Sequence, residues 1–116
     1  MQSSRVVDRT EQFELRHKED GGVHLLYVSG SFDEHTAERV WQVCMEIMQD
    51  AHRPQLVIAH VNDDYEFDSH GLGLLAWLNE YAKAREGTFY VVPSAAMTRV
   101  FKTTGCHSFF QTWPSS

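Results

Sequence analysis

The run TAERVWQVCMEIMQDAHRPQLVIAH, from Thr36 to His60, decides the fold class. In its first part apolar residues return at Ala37, Val40, Trp41, Cys44, Ile47, Met48 and Ala51. That i, i+3, i+4, i+7 recurrence lines one face of an α-helix, from about Thr36 to Ala51. Thr36 or Asp33 can cap it, and Pro54 stops any continuation. The period then vanishes. Leu56-Val57-Ile58-Ala59 is uninterrupted apolar sequence, as expected of a strand buried on both faces. A helix leading into a buried strand points to an α/β layer.

On the N-terminal side, Phe13, Leu15 and His17 alternate with polar residues, Asp20-Gly21-Gly22 signals a turn, and Val23–Ser29 is rich in strand formers. Together they predict a β-hairpin. On the other side, Asp68-Ser69 introduces a second helix, about His70 to Glu86, with Lys83 and Arg85 near its negative end and Gly87 suited to a left-handed cap. Phe89–Val92 is another buried strand. Pro93-Ser94 opens a third helix through Met97, Val100 and Phe101, closed by Gly105, and Phe109–Trp113 adds a short strand or a lid. The order β-β-α-β-α-β-α implies one α/β domain over residues 13–116, preceded by a flexible lead-in of residues 1–12. Its sheet is mixed and mainly parallel, of four or five strands, with helices packed on it. Val57, Ile58, Val91 and Val92 lie at its centre, and the hairpin supplies the only antiparallel neighbours. No internal repeat stands out.

The chain has 116 residues, 42% of them apolar and 12% aromatic, enough for one domain that buries roughly 65% of its unfolded surface. No apolar run approaches the ~20 residues that cross a bilayer, and residues 1–10 carry no secretory signal. Ten Lys and Arg against sixteen Asp and Glu, a net charge of −6, is the wrong sign for direct nucleic-acid binding. Cys44 and Cys106 form no C-x-x-C pair, which suggests a reduced, cytoplasmic setting. The acids Asp63, Asp64, Glu66 and Asp68 form either a solvated loop or an electrostatic feature of a site.

Asp68-Ser69-His70 holds the side chains of a hydrolase triad, but consecutive residues do not converge as a triad must. G-x-S-x-G is missing, since Phe67 stands at its first glycine. The seven histidines show no metal-ligand spacing, and His60, ending an apolar strand, reads as a hydrogen-bonded core residue. The acidic run lacks the pattern of a calcium loop. Gly71-Leu72-Gly73 fails as a phosphate loop because Ala76 occupies the third glycine position. Neither a metal nor a cofactor is implied, and an enzyme is not expected. A glycine in Gly71-Leu72-Gly73 instead allows close approach of backbone to the sheet or to a partner. Ser69 has two readings, an N-cap or a residue whose added phosphate would meet the positive end of a helix. Leu75, Ala82, Leu78, Leu74, Tyr81 and Trp77 spread over roughly 160° of that helix, wider than a usual core stripe of about 100°, and Leu72 falls outside even this arc. Either a neighbouring helix buries the excess or it forms a partner-binding face beginning at Ser69.

Two stretches resemble the STAS domain of bacterial anti-sigma-factor antagonists. Residues 30–38, GSFDEHTAE, are similar to that family's G-x-(L/F)-D-x-x-T-A segment, and residues 68–73, DSHGLG, to its D-S-(S/T)-G-L-G loop. Gly87 before a Tyr-Val-Val strand, and the Val100–Gly105 segment before an aromatic pair, match in order and spacing. The likeness runs from about Phe13 to Trp113. It implies that Ser69 is phosphorylated by an anti-sigma factor with serine-kinase activity, and that Asp33, Asp68, His70 and Gly71 neighbour the phosphosite. It also implies that the unmodified form binds the kinase and frees a sigma factor, through a surface including Thr36, Leu72, Gly73, Leu74 and Trp77. His70 departs from the second Ser/Thr of the signature, and His60 from the usual Asp or Asn. A non-phosphorylated STAS adaptor, in a signalling complex or a membrane transport machine, is the alternative.

Overall fold

Gly21 and Gly22 both take positive φ, 59° and 85°, as a two-residue type I′ turn requires. In the computed structural model, which describes residues 5–11, 13–49, 52–60, 67–106 and 110–112, this turn joins β2 (Phe13–Asp20) to β3 (Val23–Gly30) in unbroken antiparallel register. There follow α1 (Glu34–Met48), β4 (Gln55–His60), α2 (Ser69–Ala84), β5 (Thr88–Val92), α3 (Ala95–Thr104) and β6 (Gln111–Thr112). Each strand from β3 to β6 is parallel to the next. Asp63, Asp64, Glu66, Phe109 and Trp113 lie outside the described residues.

Arg5–Thr10, expected to be lead-in, is instead strand β1, antiparallel to β2. The sheet therefore has six strands, and antiparallel pairing extends past the hairpin. The strand was hidden because its only apolar residues are Val6 and Val7 and no alternation marks a buried face. Backbone pairing holds it, with an ion pair from Asp8 Oδ2 to Arg39 Nε of α1 at 2.6 Å. A register shift between Val6 and Asp8 bends this edge, which discourages pairing with another chain.

Strand order is sequential, β1 to β6. Right-handed crossovers that always advance in one direction place every helix on the same face of the sheet. Accordingly Val40 and Cys44 of α1, Leu75 and Leu78 of α2, and Met97 and Phe101 of α3 share one core with Leu15, Leu26, Val28, Leu56, Ile58, Phe89 and Val91. By the pleat, Val57 and Ala59 turn to the opposite face, in rows with Leu25 and Tyr90 and with Tyr27 and Val92. Val57 and Ala59 are buried there, while Val92, one strand further out, is half-buried.

Helix ends depart from the sequence reading in two places. α1 begins at Glu34 behind an Asp33 cap. After α2 the left-handed residue is Glu86, φ 58°, not Gly87. Gly87 is needed for another reason: a Cβ there would strike Pro54, whose carbonyl accepts the Thr88 N–H at 2.8 Å. Gly105, φ 75°, closes α3 as expected.

Across the hairpin, His17 Nε2 lies 3.0 Å from His24 Nδ1, with the rings stacked. Burial first, then the facing charge of His24 and that of Arg5, hold the His17 imidazole below its ordinary value, against a small opposing effect of Glu19. A folded pKa below the unfolded one means the stabilisation is complete above about pH 6.5 and is lost as pH falls through the lower folded value. An NMR titration should therefore give His17 a midpoint under 6.5, and His24→Gln should raise it. A midpoint at or above 6.5 would mean a solvated ring.

Candidate functional site

His60, at the carboxyl end of β4, is 2% exposed and uses both ring nitrogens. Nε2 lies 2.7 Å from the Gly30 carbonyl oxygen, and Nδ1 lies 2.8 Å from Ser94 Oγ. A carbonyl only accepts, so Nε2 carries the proton. The Ser94 hydroxyl then donates to Nδ1 and accepts the Met97 N–H at 3.1 Å, as the N-cap of α3. This network ties the ends of β3 and β4 to the start of α3. Phe32 packs edge-on against the imidazole at 5.8 Å, and Phe67 lies at 6.2 Å.

Phe32 and Phe67 themselves form a parallel bridge, and the Asp68 N–H donates to the Phe32 carbonyl at 3.3 Å. Each phenylalanine is followed by an aspartate that caps a helix. Asp33 Oδ1 accepts from the N–H groups of His35 and Thr36 at 3.0 and 3.2 Å. Asp68 Oδ1 accepts from those of His70 and Gly71 at 3.0 and 3.3 Å. The sequence F-D-x-H thus occurs twice, at Phe32–His35 and Phe67–His70, and the bridge sets the two copies side by side. Four residues are too short a repeat to stand out in the sequence, and the matching cap geometry gives it its meaning.

The copies differ one residue further on. Thr36 is buried, and its Oγ1 accepts the Asp33 N–H at 2.8 Å, completing a capping box. Gly71 fills that place in α2. A Cβ on Gly71 would come within 2.7 Å of the Phe67 ring and 2.9 Å of the Phe32 ring, so α2 rests directly on the two rings.

Asp68, not Ser69, is the N-cap of α2. Ser69 is the first helical residue, exposed, and its hydroxyl has no hydrogen-bond partner among the described residues. His70 Nδ1 lies 3.5 Å from Asp68 Oδ2 with both side chains partly exposed, and neither reaches the serine oxygen. No catalytic triad forms from these three. Among the described residues, no group of three or more His, Cys, Asp or Glu converges as a metal site. Burial pushes the Cys44 thiol far up, away from its reactive form.

The wide apolar arc of α2 is divided by tertiary packing. Leu74, Leu75, Leu78 and Ala82 join the core, Leu72 and Tyr81 are half-buried, and Trp77 is 42% exposed. Of the expected contact residues, Thr36 and Leu74 are buried, Leu72 is half-buried, and Gly73 and Trp77 are exposed, as are Ser69 and its neighbour His70. α1 covers part of the excess: Trp41 meets Trp77 edge-on at 6.0 Å. Trp41 shares the apolar spacing of α1, yet it is 40% exposed, because Val40, Val43 and Cys44 take the sheet-facing positions. Trp77 also stacks on Tyr81 at 4.9 Å, and the Arg85 guanidinium stands 3.5 Å from the centre of the Tyr81 ring. A cleft of about 330 Å³ opens beside the start of α1, between Asp8, Phe13, Asp33 and Arg39.

No protein-family model and no curated protein matches the chain. Among solved structures it is similar to the crystal structure of an anti-sigma factor antagonist from Mycobacterium paratuberculosis. The identity is 26% over 94% of this chain and 92% of that one, with a TM-score of 0.74. The fold is STAS-like, as the sequence resemblance implied.

The cap geometry sets an order of stabilities. Asp68→Ala, which orphans two N–H groups, should lower unfolding free energy by about 1 kcal/mol. Gly71→Ala, which forces a methyl into two rings, should cost ~1–3 kcal/mol. Ser69→Ala should stay within about 0.5 kcal/mol of the parent. Urea unfolding measures all three, and a Ser69→Ala loss as large as that of Asp68→Ala would return the cap to the serine.

Proposed function

We propose, starting from the likeness to an anti-sigma factor antagonist, that this chain is such an antagonist and that phosphorylation of Ser69 switches it. The unmodified protein binds an anti-sigma factor with serine-kinase activity in the cytoplasm and so releases a sigma factor. It acts through protein–protein contact, without nucleic acid or chemistry of its own. No helix among the described residues is long and apolar enough to cross a membrane.

The observation that carries this reading is the state of Ser69. Its hydroxyl is exposed and has no hydrogen-bond partner among the described residues, while its neighbour Asp68 does the capping. A kinase can take the hydroxyl without dismantling the helix start. Phosphate adds about −1.5 to −2 charge and three acceptor oxygens. The positive end of α2 favours that charge by ~0.3–1 kcal/mol, while Asp68 and the adjoining Asp33 cap oppose it, so the fold tolerates the change. At a contact surface the balance reverses, since a desolvated and unpaired phosphate costs several kcal/mol. Leu72, Gly73 and Trp77 lie beside Ser69 on the reachable side of α2, and we assign the contact to them.

Incubating the protein with purified anti-sigma kinases of the source genome and ATP, followed by intact mass and peptide mapping, tests the switch. One phosphate on Ser69 is expected. Ser69→Ala should bind and resist modification, and Ser69→Asp should bind at least about tenfold more weakly, a difference of ~1.4 kcal/mol. Tight binding without modification, with Ser69→Asp equal to the parent, would make the chain a constitutive STAS adaptor instead.

A further inference from the structure

His17 and His24 stand toward the hairpin turn, at the amino end of β3, whereas Asp33 follows its carboxyl end. In register His17 faces Leu26 and His24 faces Glu19, so by the pleat both imidazoles and the Glu19 side chain leave the hairpin on one face. His17 Nε2 and His24 Nδ1 are 3.0 Å apart, and the ring planes are 18° from parallel. Both residues are half-buried. The strands that carry them are fixed, because the pairing runs unbroken from Phe13 to Asp20 and the Gly21-Gly22 turn closes it. Two imidazole nitrogens this close share one proton, and the same separation suits a metal ion.

We propose that His17 and His24 form a two-imidazole site for a late divalent transition metal, Cu(II) first and Ni(II) next. With metal–nitrogen bonds of ~2.0–2.1 Å, donors 3.0 Å apart subtend about 94° at the metal. That is a cis corner of the square-planar or tetragonal geometry of Cu(II) and Ni(II), whereas tetrahedral zinc asks for a wider angle. Water fills the remaining positions. Binding needs a pivot of the two rings and a change of tautomer in one of them. The proton held between Nε2 and Nδ1 moves to the far nitrogen of the ring that carried it. Both facing nitrogens then offer a lone pair, and no net proton is released.

Two neighbours bear on the charge of the ion. Glu19, exposed and opposite His24, attracts it, while Arg5, opposite His17 on β1, opposes it. Seven positions separate the histidines across a turn, a spacing that matches no metal motif, and only the strand register brings the rings together. A bound metal clips β2 to β3. It stabilises the folded chain, because the unfolded chain does not hold the two rings side by side. The site is built from the hairpin alone, so it stands or falls independently of the antagonist reading.

Titration of the full chain with Cu(II), Ni(II) and Zn(II), read by calorimetry and by NMR of the histidine ring protons, tests the site. One Cu(II) per chain is expected, with the His17 and His24 ring signals broadened before those of the other histidines. Affinity should fall from Cu(II) to Ni(II) to Zn(II). His17→Gln and His24→Gln should each weaken Cu(II) binding about a hundredfold, the loss of a second linked donor, while Ser69→Asp leaves it unchanged. Ni(II) should raise the urea midpoint of the parent and of neither histidine variant. Where a variant does not fold, the order of ring broadening in the parent decides. Broadening that begins at other histidines, or Cu(II) held as tightly by both variants as by the parent, overturns the site. Zn(II) binding tighter than Cu(II) overturns the geometry assigned to it.

Discussion

The bond from His60 Nε2 to the Gly30 carbonyl, with Ser94 on the ring's other nitrogen, fixes the geometry on which the site is built. It joins the ends of two parallel strands just where the chain must leave each of them for a helix. Removing the imidazole would leave a buried carbonyl and a buried hydroxyl without their partner, at roughly 1–3 kcal/mol for each unsatisfied group. The aromatic rings of Phe32 and Phe67 close over it, and Gly71 brings α2 down onto them. The two aspartate caps are adjacent because the Phe32–Phe67 bridge sets the two segments side by side.

That arrangement separates folding from regulation. A serine acting as the cap would carry part of the stability of α2 in its own hydroxyl, and modification would disturb the helix it serves. Here Asp68 supplies a permanent carboxylate to the His70 and Gly71 N–H groups, so Ser69 contributes little to the fold and is available for chemistry. The same division runs along α2. Leu74, Leu75 and Leu78 hold it to the sheet, while Ser69 and Gly73 on its other side are exposed and Trp77 meets Trp41 and Tyr81 at the surface.

One-sided helix packing has its own consequence. All three helices and the one core lie on a single face of the sheet, and the exposed tryptophans lie where α1 and α2 run side by side. The cleft near Asp33 and the Asp8–Arg39 pair join β1 to the same end of α1. The edge strand thereby steadies the helix whose cap adjoins Asp68.

Local sequence alone carries the element order from the hairpin onward, the buried β4, the two glycine turn positions and the approximate starts of the helices. Each of these is local: period, turn chemistry and capping preference act within a few residues. It also singled out Ser69, Gly73 and Trp77, although as one of several readings. Packing between distant segments settles the rest. β1 is a strand because β2 offers it a ladder, which its own residues do not announce. Asp68 rather than Ser69 caps α2 because the Phe32–Phe67 bridge fixes the backbone one residue earlier. Trp41 lies outside the core and Leu74 inside it, because the burial of a helical residue depends on how the helix is turned against its neighbours, and periodicity gives the width of an apolar face without its direction.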